Sequence, residues 1–306
     1  MHDRDCLHRF LFEHYPIRGH LVHLDASWRA LLEHREYPHS VRDTLGEAVA
    51  ASVLLAATLK FDGTLSLQLK GAGPMHLLLA QCSDQLGVRA VARYRDEVER
   101  RDLAGMSGEG HLTVTLENDD LTQRYQGVVP LSGERLSDCL RSYFESSEQL
   151  PTRLWLHATE SGASGLLLQR LPADAATAPR ADGSVRQASP AEVEDAWSRV
   201  QLLADTLKPE EIETLRDHQI LRRLFAEDDV RLFEPAPVFF RCRCSRERVA
   251  SMLNALGAEE VRSILAEQGR VEVRCDFCNR AYHFDPVDVE HLLATGSATD
   301  LSSRRH

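Results

Sequence analysis

Four of the chain's seven cysteines stand in two close pairs, Cys242 with Cys244 in FFRCRCSRERV and Cys275 with Cys278 in VRCDFCNRAYHF. A C-x-C and a C-x-x-C with thirty residues between them can each wrap one side of a tetrahedral ion, and thiolates so placed suit Zn²⁺. Four thiolates on Zn²⁺ leave two net negative charges. Arg241, Arg243, Arg246, Arg248, Arg274 and Arg280 lie close in sequence and are expected to offset them. His283 is a further donor nearby, but an all-sulfur set is already complete. The same residues are open to a second chemistry. With one residue between them, Cys242 and Cys244 can close a tight, strained disulfide, and strain makes such a bond easier to reduce. Cys275 and Cys278 have the spacing of redox dithiols. A disulfide sulfur is a poor metal ligand, so oxidation would eject the ion and unfold what the ion supports. Spacing alone leaves a static zinc knob and a redox site both standing. Cys6, Cys82 and Cys139 are isolated in sequence and read as small apolar residues.

The segment between the pairs must bring them together. Ser245 can cap one helix, Gly257 can end it, a second helix can run from Glu259 to about Glu267, and Gly269 releases the chain into a short strand. Upstream, Ser189, Pro190 and Glu192 open a helix in capping-box register. Val193, Trp197, Val200 and Leu203, then Ile212, Leu215, Leu221 and Leu224, recur at helical spacing among dense charge. Helices so short and polar depend on docking their apolar faces. Order over 179–233 is therefore read as conditional, although a permanently folded helical subdomain fits the same pattern. Before it, LPADAATAPRADGSVRQASP offers hardly a large apolar side chain and reads as a linker. The first 175 or so residues mix strands (HLVHLD, GTLSLQLKG, GHLTVTLEND) with helices. One helix falls in PHSVRDTLGEAVAASVLLAATLKF with Ser40 as its cap, and another in SGERLSDCLRSYFESSEQLP, ended by Pro151. The expected class is α+β. It comprises an N-terminal mixed sheet-and-helix core domain (1–178), a metastable helical linker (179–233), a small C-terminal zinc-binding domain (234–292) and a flexible tail (293–306).

Composition bounds the function. Hydrophobic content of 43% and charged content of 27% over 306 residues suit a water-soluble globular chain. A net charge of −11 argues against nucleic acid as the partner of the whole chain. From Arg241 to Arg280, eight arginines face six acidic residues, a weak footprint for a nucleic-acid-binding zinc ribbon. AVAASVLLAATL is twelve residues, short of the roughly 20 of a membrane span, and reads as a buried helix. The N-terminus shows neither the basic nor the apolar region of a secretory signal, so a cytoplasmic setting with reduced thiols is expected. KGAGPMH has His76 where a dinucleotide loop needs its third glycine, and Pro74 removes an amide. GMSGEG has Glu109 in place of the last glycine of a nucleophile elbow. No Walker lysine follows a glycine run, and no enzyme active site is visible among the fourteen histidines. The C-x-x-C also lacks the βαβ setting of a thiol–disulfide oxidoreductase.

These residues closely resemble the heat shock protein 33 family, also called the 33 kDa chaperonin. CRCSRERV…EEVRSILAEQGRVEVRCDFCNRAYHF is similar to that family's zinc switch in pair order, spacing and intervening CSRER. RFLFEHYPIRG, LGEAVAASVLLAATLKFDGTLSLQLKGAGP, RYQGVVPL and YFESSEQLPT are similar to its core segments. The likeness covers nearly the whole chain, in order, and is weakest at AATAPRADGSVRQ and after Leu292. It implies a redox-regulated, ATP-independent holdase that is inactive while reduced, with zinc on Cys242, Cys244, Cys275 and Cys278. Oxidants and mild heat would then form Cys242–Cys244 and Cys275–Cys278 disulfides. The second is expected to close first, its longer spacing being less strained. Zinc would leave, the linker and zinc domain would lose structure, and the chain would dimerise and hold unfolded client proteins. No catalysis and no membrane or nucleic-acid partner are implied.

Overall fold

An apolar run as long as AVAASVLLAATL settles in water only if it is covered on every side. The computed structural model, which describes residues 4–33, 35–95, 98, 102–118, 124–172 and 188–302, with side chains as far as 294, covers it with two sheets. The run lies in α2 (His39–Thr58), whose residues from Ala48 to Ala56 are all buried. Below it lies an antiparallel sheet of β1 (Cys6–Phe12), β2 (Ile17–Leu24), β8 (Thr152–Ala158), β9 (Ala163–Arg170) and β10 (Val230–Leu232), in the order β10-β1-β2-β9-β8. β11 (Ala236–Pro237) also pairs with β1. Above it lie β3 (Gly63–Gly71), β4 (Met75–Ser83), β5 (Gly87–Tyr94), β6 (Gly110–Asn118), β7 (Arg124–Pro130) and β12 (Phe239–Phe240), in the order β12-β5-β4-β3-β6-β7, with only β12 parallel to its neighbour. α2 packs on β2, β8 and β9 of the first sheet and on β3, β4 and β5 of the second.

Two local expectations need correcting. α2 starts at His39 with Pro38 before it, so Ser40 is inside the first turn and its hydroxyl donates to the Val98 carbonyl at 3.0 Å instead of capping. The helix expected before Pro151 is α4 (Leu136–Tyr143), which widens into a π-turn over Phe144–Glu148.

Strand alternation gives the first sheet a second apolar face. Leu7, Val22, Leu24 and Leu167 point toward α2, whereas Phe10, Phe12, Ile17, Leu21, Leu166 and Leu168 point away. That outer face is covered by α5 (Pro190–Ala204), α6 (Pro209–Thr214) and α7 (Asp217–Leu224) through Trp197, Val200, Ile212, Ile220, Leu221 and Leu224. Burial of each such side chain is worth about 1.5–3 kcal/mol, and polar contacts such as Trp155 Nε1 to Asp205 at 2.9 Å and Arg153 to Gln201 at 2.8 Å add to it. α5 starts as its sequence demands: the Ser189 hydroxyl accepts from the Glu192 amide at 3.3 Å, and the Glu192 carboxylate accepts from the Ser189 amide at 2.8 Å. The rest of the linker expectation, 179–187, lies outside the described residues.

By its contacts the chain divides between Arg241 and Cys242, so residues 234–241, with β11 and β12, go with the first unit. The second unit consists of α8 (Arg246–Leu256), α9 (Ala258–Gln268), β13 (Val271–Arg274), β14 (Ala281–Phe284) and α10 (Pro286–Ser302), which runs on past Leu292. The Ser245 hydroxyl caps α8, accepting from the Arg248 amide at 3.3 Å. Gly257 (φ 103°) and Gly269 (φ 71°) end α8 and α9 in backbone that side chains resist. The core of this unit is small: Val249, Leu253, Val261, Val271, Tyr282, Phe284 and Val289 carry most of it. Among the described residues no helix is long and apolar enough to cross a membrane.

Candidate metal centre

Cys242 and Cys244 lie on the irregular stretch leading into α8, and Cys275 and Cys278 on the turn that joins β13 to β14. That turn is set by the strand register, which ends with Arg274 opposite Ala281. The Cys275 amide donates to the Arg280 carbonyl at 3.0 Å and the Asn279 amide to the Cys275 carbonyl at 2.8 Å. Asn279 takes φ 54°, a left-handed conformation that asparagine tolerates better than most residues.

All four sulfurs lie within 4.8 Å of one another. Cys242 Sγ is 3.6 Å from Cys275 Sγ, and Cys244 Sγ is 3.4 Å from Cys278 Sγ. Sulfurs at the corners of a zinc tetrahedron, each about 2.3 Å from the ion, stand about 3.8 Å apart. The donor set and its spread therefore fit a four-thiolate ion, and the four cysteines could hold one.

The thiols are not equivalent before a metal binds. Burial pushes Cys242 and Cys278 up. Burial works on Cys244 in the same direction, but the Tyr282 hydroxyl, donating at 3.1 Å, and the neighbouring thiols outweigh it and bring the group down to about 7. Cys244 is the thiol most ready to meet a cation as thiolate.

The arginine expectation is only partly met. Arg280 acts electrostatically on Cys244 and Cys278. Arg246 instead pairs with Asp288 at 2.8 Å and stacks over Phe284, Arg248 donates to the Arg243 carbonyl, and Arg274 pairs with Glu272 at 2.7 Å. These side chains stitch the unit together through carboxylates in α10 and β13 and a backbone carbonyl. His283 is exposed, lies 3.3 Å from Glu272, and is not among the clustered donors.

Cys82 and Cys139 are buried apart from the centre, and burial pushes both thiols up. Cys6 is buried too, but it is not isolated: it meets His8 and Asp217. Sequence inspection missed that group because 209 residues separate His8 from Asp217.

Two sheets around a buried helix, with four clustered cysteines in a small second unit, define a mixed α/β protein whose C-terminal unit could hold a metal ion. The profile of the Hsp33 protein family matches residues 5–285. The 33 kDa chaperonin of Methylobacillus flagellatus is 45% identical over 303 residues, covering 99% of each chain. The 33 kDa chaperonin of Nitrosococcus oceani is 46% identical over 306 residues, covering 100% of each. The crystal structure of the 33 kDa chaperonin of Thermotoga maritima shares the fold with a TM-score of 0.80 at 21% identity, over 96% of this chain and 100% of that one. The chain belongs to the Hsp33 family.

Proposed function

We propose that the chain is a redox-regulated, ATP-independent chaperone, a holdase idle when reduced and zinc-loaded and active toward unfolded client proteins once oxidised. The observation that carries this reading is the gathering of four thiols within 4.8 Å in a unit whose own core is small. Kinship with proteins named 33 kDa chaperonin supports the chaperone part.

Zinc, when bound, would tie the α8 entry to the β13–β14 turn through Cys242, Cys244, Cys275 and Cys278 and lend the second unit its missing folding energy. In zinc peptides that energy is on the order of 10 kcal/mol or more, against the roughly 5–15 kcal/mol that holds a whole domain. The Cys242 and Cys244 thiolates give two electrons to one peroxide, which takes two protons from solvent, leaving one S–S bond and two waters. Cys275 and Cys278 do the same with a second peroxide. Four ligands are thereby spent, and the unit loses its support. The helices of residues 190–224 then undock, because charge dominates them away from Trp197, Val200, Ile212 and Ile220. Their departure uncovers the Phe10, Ile17, Leu21, Leu166 and Leu168 face for clients. Residues 1–178 act as the client-binding and dimerising core, 179–233 as the metastable linker and the unit that begins at Cys242 as the switch, in the cytoplasm.

The test is to follow zinc release with a chromophoric chelator while peroxide is added at mild heat, and to assay client protection at each point. Protection rising in proportion to zinc released is the expected result. Full protection before any release would refute zinc control.

A further inference from the structure

The outer face of the first sheet carries one polar island. Cys6 of β1 is paired directly with His23 of β2, and His8 lies two residues along β1, so the three side chains share that face. Asp217, the first residue of α7, comes down on them. All four are buried, at 5–7% exposure. Asp217 Oδ2 is in direct contact with His8 Nδ1, Asp217 Oδ1 lies 2.6 Å from His23 Nδ1, and Cys6 Sγ lies 3.8 Å from His8 Nδ1.

Counting protons shows that something positive belongs there. His23 Nε2 lies 2.5 Å from the Ile212 carbonyl oxygen, which only accepts, so Nε2 carries the hydrogen. In a neutral ring Nδ1 is then a bare lone pair, and it faces the Asp217 carboxylate oxygen at 2.6 Å. Two lone pairs pressed together away from water are costly unless a proton or a cation lies between them. The Cys6 sulfur, a His8 imidazole nitrogen and an Asp217 carboxylate oxygen all lie within 4.8 Å of one another, and thiolate, imidazole and carboxylate are the donors of a borderline-soft divalent ion. The His23–Ile212 hydrogen bond fixes the ring that faces the second oxygen of Asp217, an outer contact of the kind that orients a ligating carboxylate. A cavity of about 160 Å³, lined in part by His8, His23 and Asp217, adjoins the group.

We propose that Cys6, His8 and Asp217, with His23 holding the other oxygen of the Asp217 carboxylate, form a second metal site, distinct from the four-cysteine centre, that takes a zinc-class divalent ion and clamps α7 to the first sheet. On binding, the Cys6 thiol gives its proton to solvent and the sulfur joins as thiolate. Any proton shared between Asp217 and the two rings leaves as the ion enters.

The test is a zinc count by mass spectrometry on the full-length reduced chain after loading with zinc sulfate and removal of excess. Two zinc ions per chain are expected, falling to one in Cys244→Ser/Cys278→Ser, one in His8→Gln/Asp217→Asn, and none when all four changes are combined. One zinc per wild-type chain, lost entirely in Cys244→Ser/Cys278→Ser, would overturn the proposal and leave a cluster bridged by protons. Should His8→Gln/Asp217→Asn not fold, cobalt(II) in the Cys244→Ser/Cys278→Ser chain decides. A thiolate-to-cobalt absorption band that disappears with the further change Cys6→Ser is expected; no such band, or one that survives Cys6→Ser, overturns the site.

Discussion

Cys242 Sγ touches Cys275 Sγ at 3.6 Å, across 33 positions of sequence. In the folded, reduced unit this cross-loop pair, like Cys244 and Cys278 at 3.4 Å, is close enough to react. Oxidation nevertheless favours neighbours, because a disulfide between the loops needs the unit to stay folded while its support is being removed. Closing a loop of about 34 residues instead of about 3 costs an unfolding chain roughly 2 kcal/mol more. Peptide mapping by mass spectrometry after peroxide should find Cys242–Cys244 and Cys275–Cys278. A dominant Cys242–Cys275 or Cys244–Cys278 species would contradict the proposed route.

Trp197 is buried against the outer face of the first sheet at 6% exposure. With Trp28→Phe and Trp155→Phe it is the only tryptophan left of three. Its emission should shift to longer wavelength as zinc is released by peroxide at mild heat. An unchanged spectrum at complete release would mean that α5 stays docked and that the helices do not answer to the metal.

The Ser245 cap links helix chemistry to the metal. Its hydroxyl serves the Arg248 amide just beyond Cys244. Loss of an N-cap costs about 1 kcal/mol, and in a unit whose folding is coupled to its ion that cost appears in the metal affinity. Ser245→Ala should bind zinc about 5-fold more weakly in competition with a chromophoric chelator, 1.4 kcal/mol being about tenfold. Equal affinities would show that the small core folds the unit without help.

His20 faces α2, with Nδ1 3.5 Å from the Leu54 carbonyl oxygen. Burial, aided by the Arg18 charge, pushes it down to about 3 from 6.5. The unfolded chain therefore takes up a proton that the folded chain refuses, and stability falls as pH drops below 6.5. Between pH 7 and pH 5 this one group should remove about 2 kcal/mol, at 1.36 kcal/mol per unit. Urea unfolding followed by tryptophan emission should show that loss shrinking in His20→Gln. An equal loss in wild type and variant would place the acid sensitivity elsewhere.

Much of this was legible in the chain. The four cysteines, the Ser189 and Ser245 caps, the Gly257 and Gly269 stops and the burial of the apolar run from Ala48 to Ala56 all follow from short-range rules of spacing and polarity. What was not legible is long-range. The two sheets that close on α2 join strands as distant as β2 and β9, and no local pattern records that pairing. Arg246 and Arg274 were assigned by proximity in sequence to the sulfurs, yet carboxylates brought near by folding claim them. The Cys6, His8, His23 and Asp217 group was invisible for the same reason: its members are scattered single residues until α7 docks.

The most direct measurement of the central claim is light scattering from a heat-unfolding client, mixed with the chain either reduced and zinc-loaded or treated beforehand with peroxide at mild heat. The account predicts that the oxidised chain suppresses aggregation and the reduced chain does not. Equal suppression by both forms would make the chaperone constitutive and the zinc merely structural, and so contradict it.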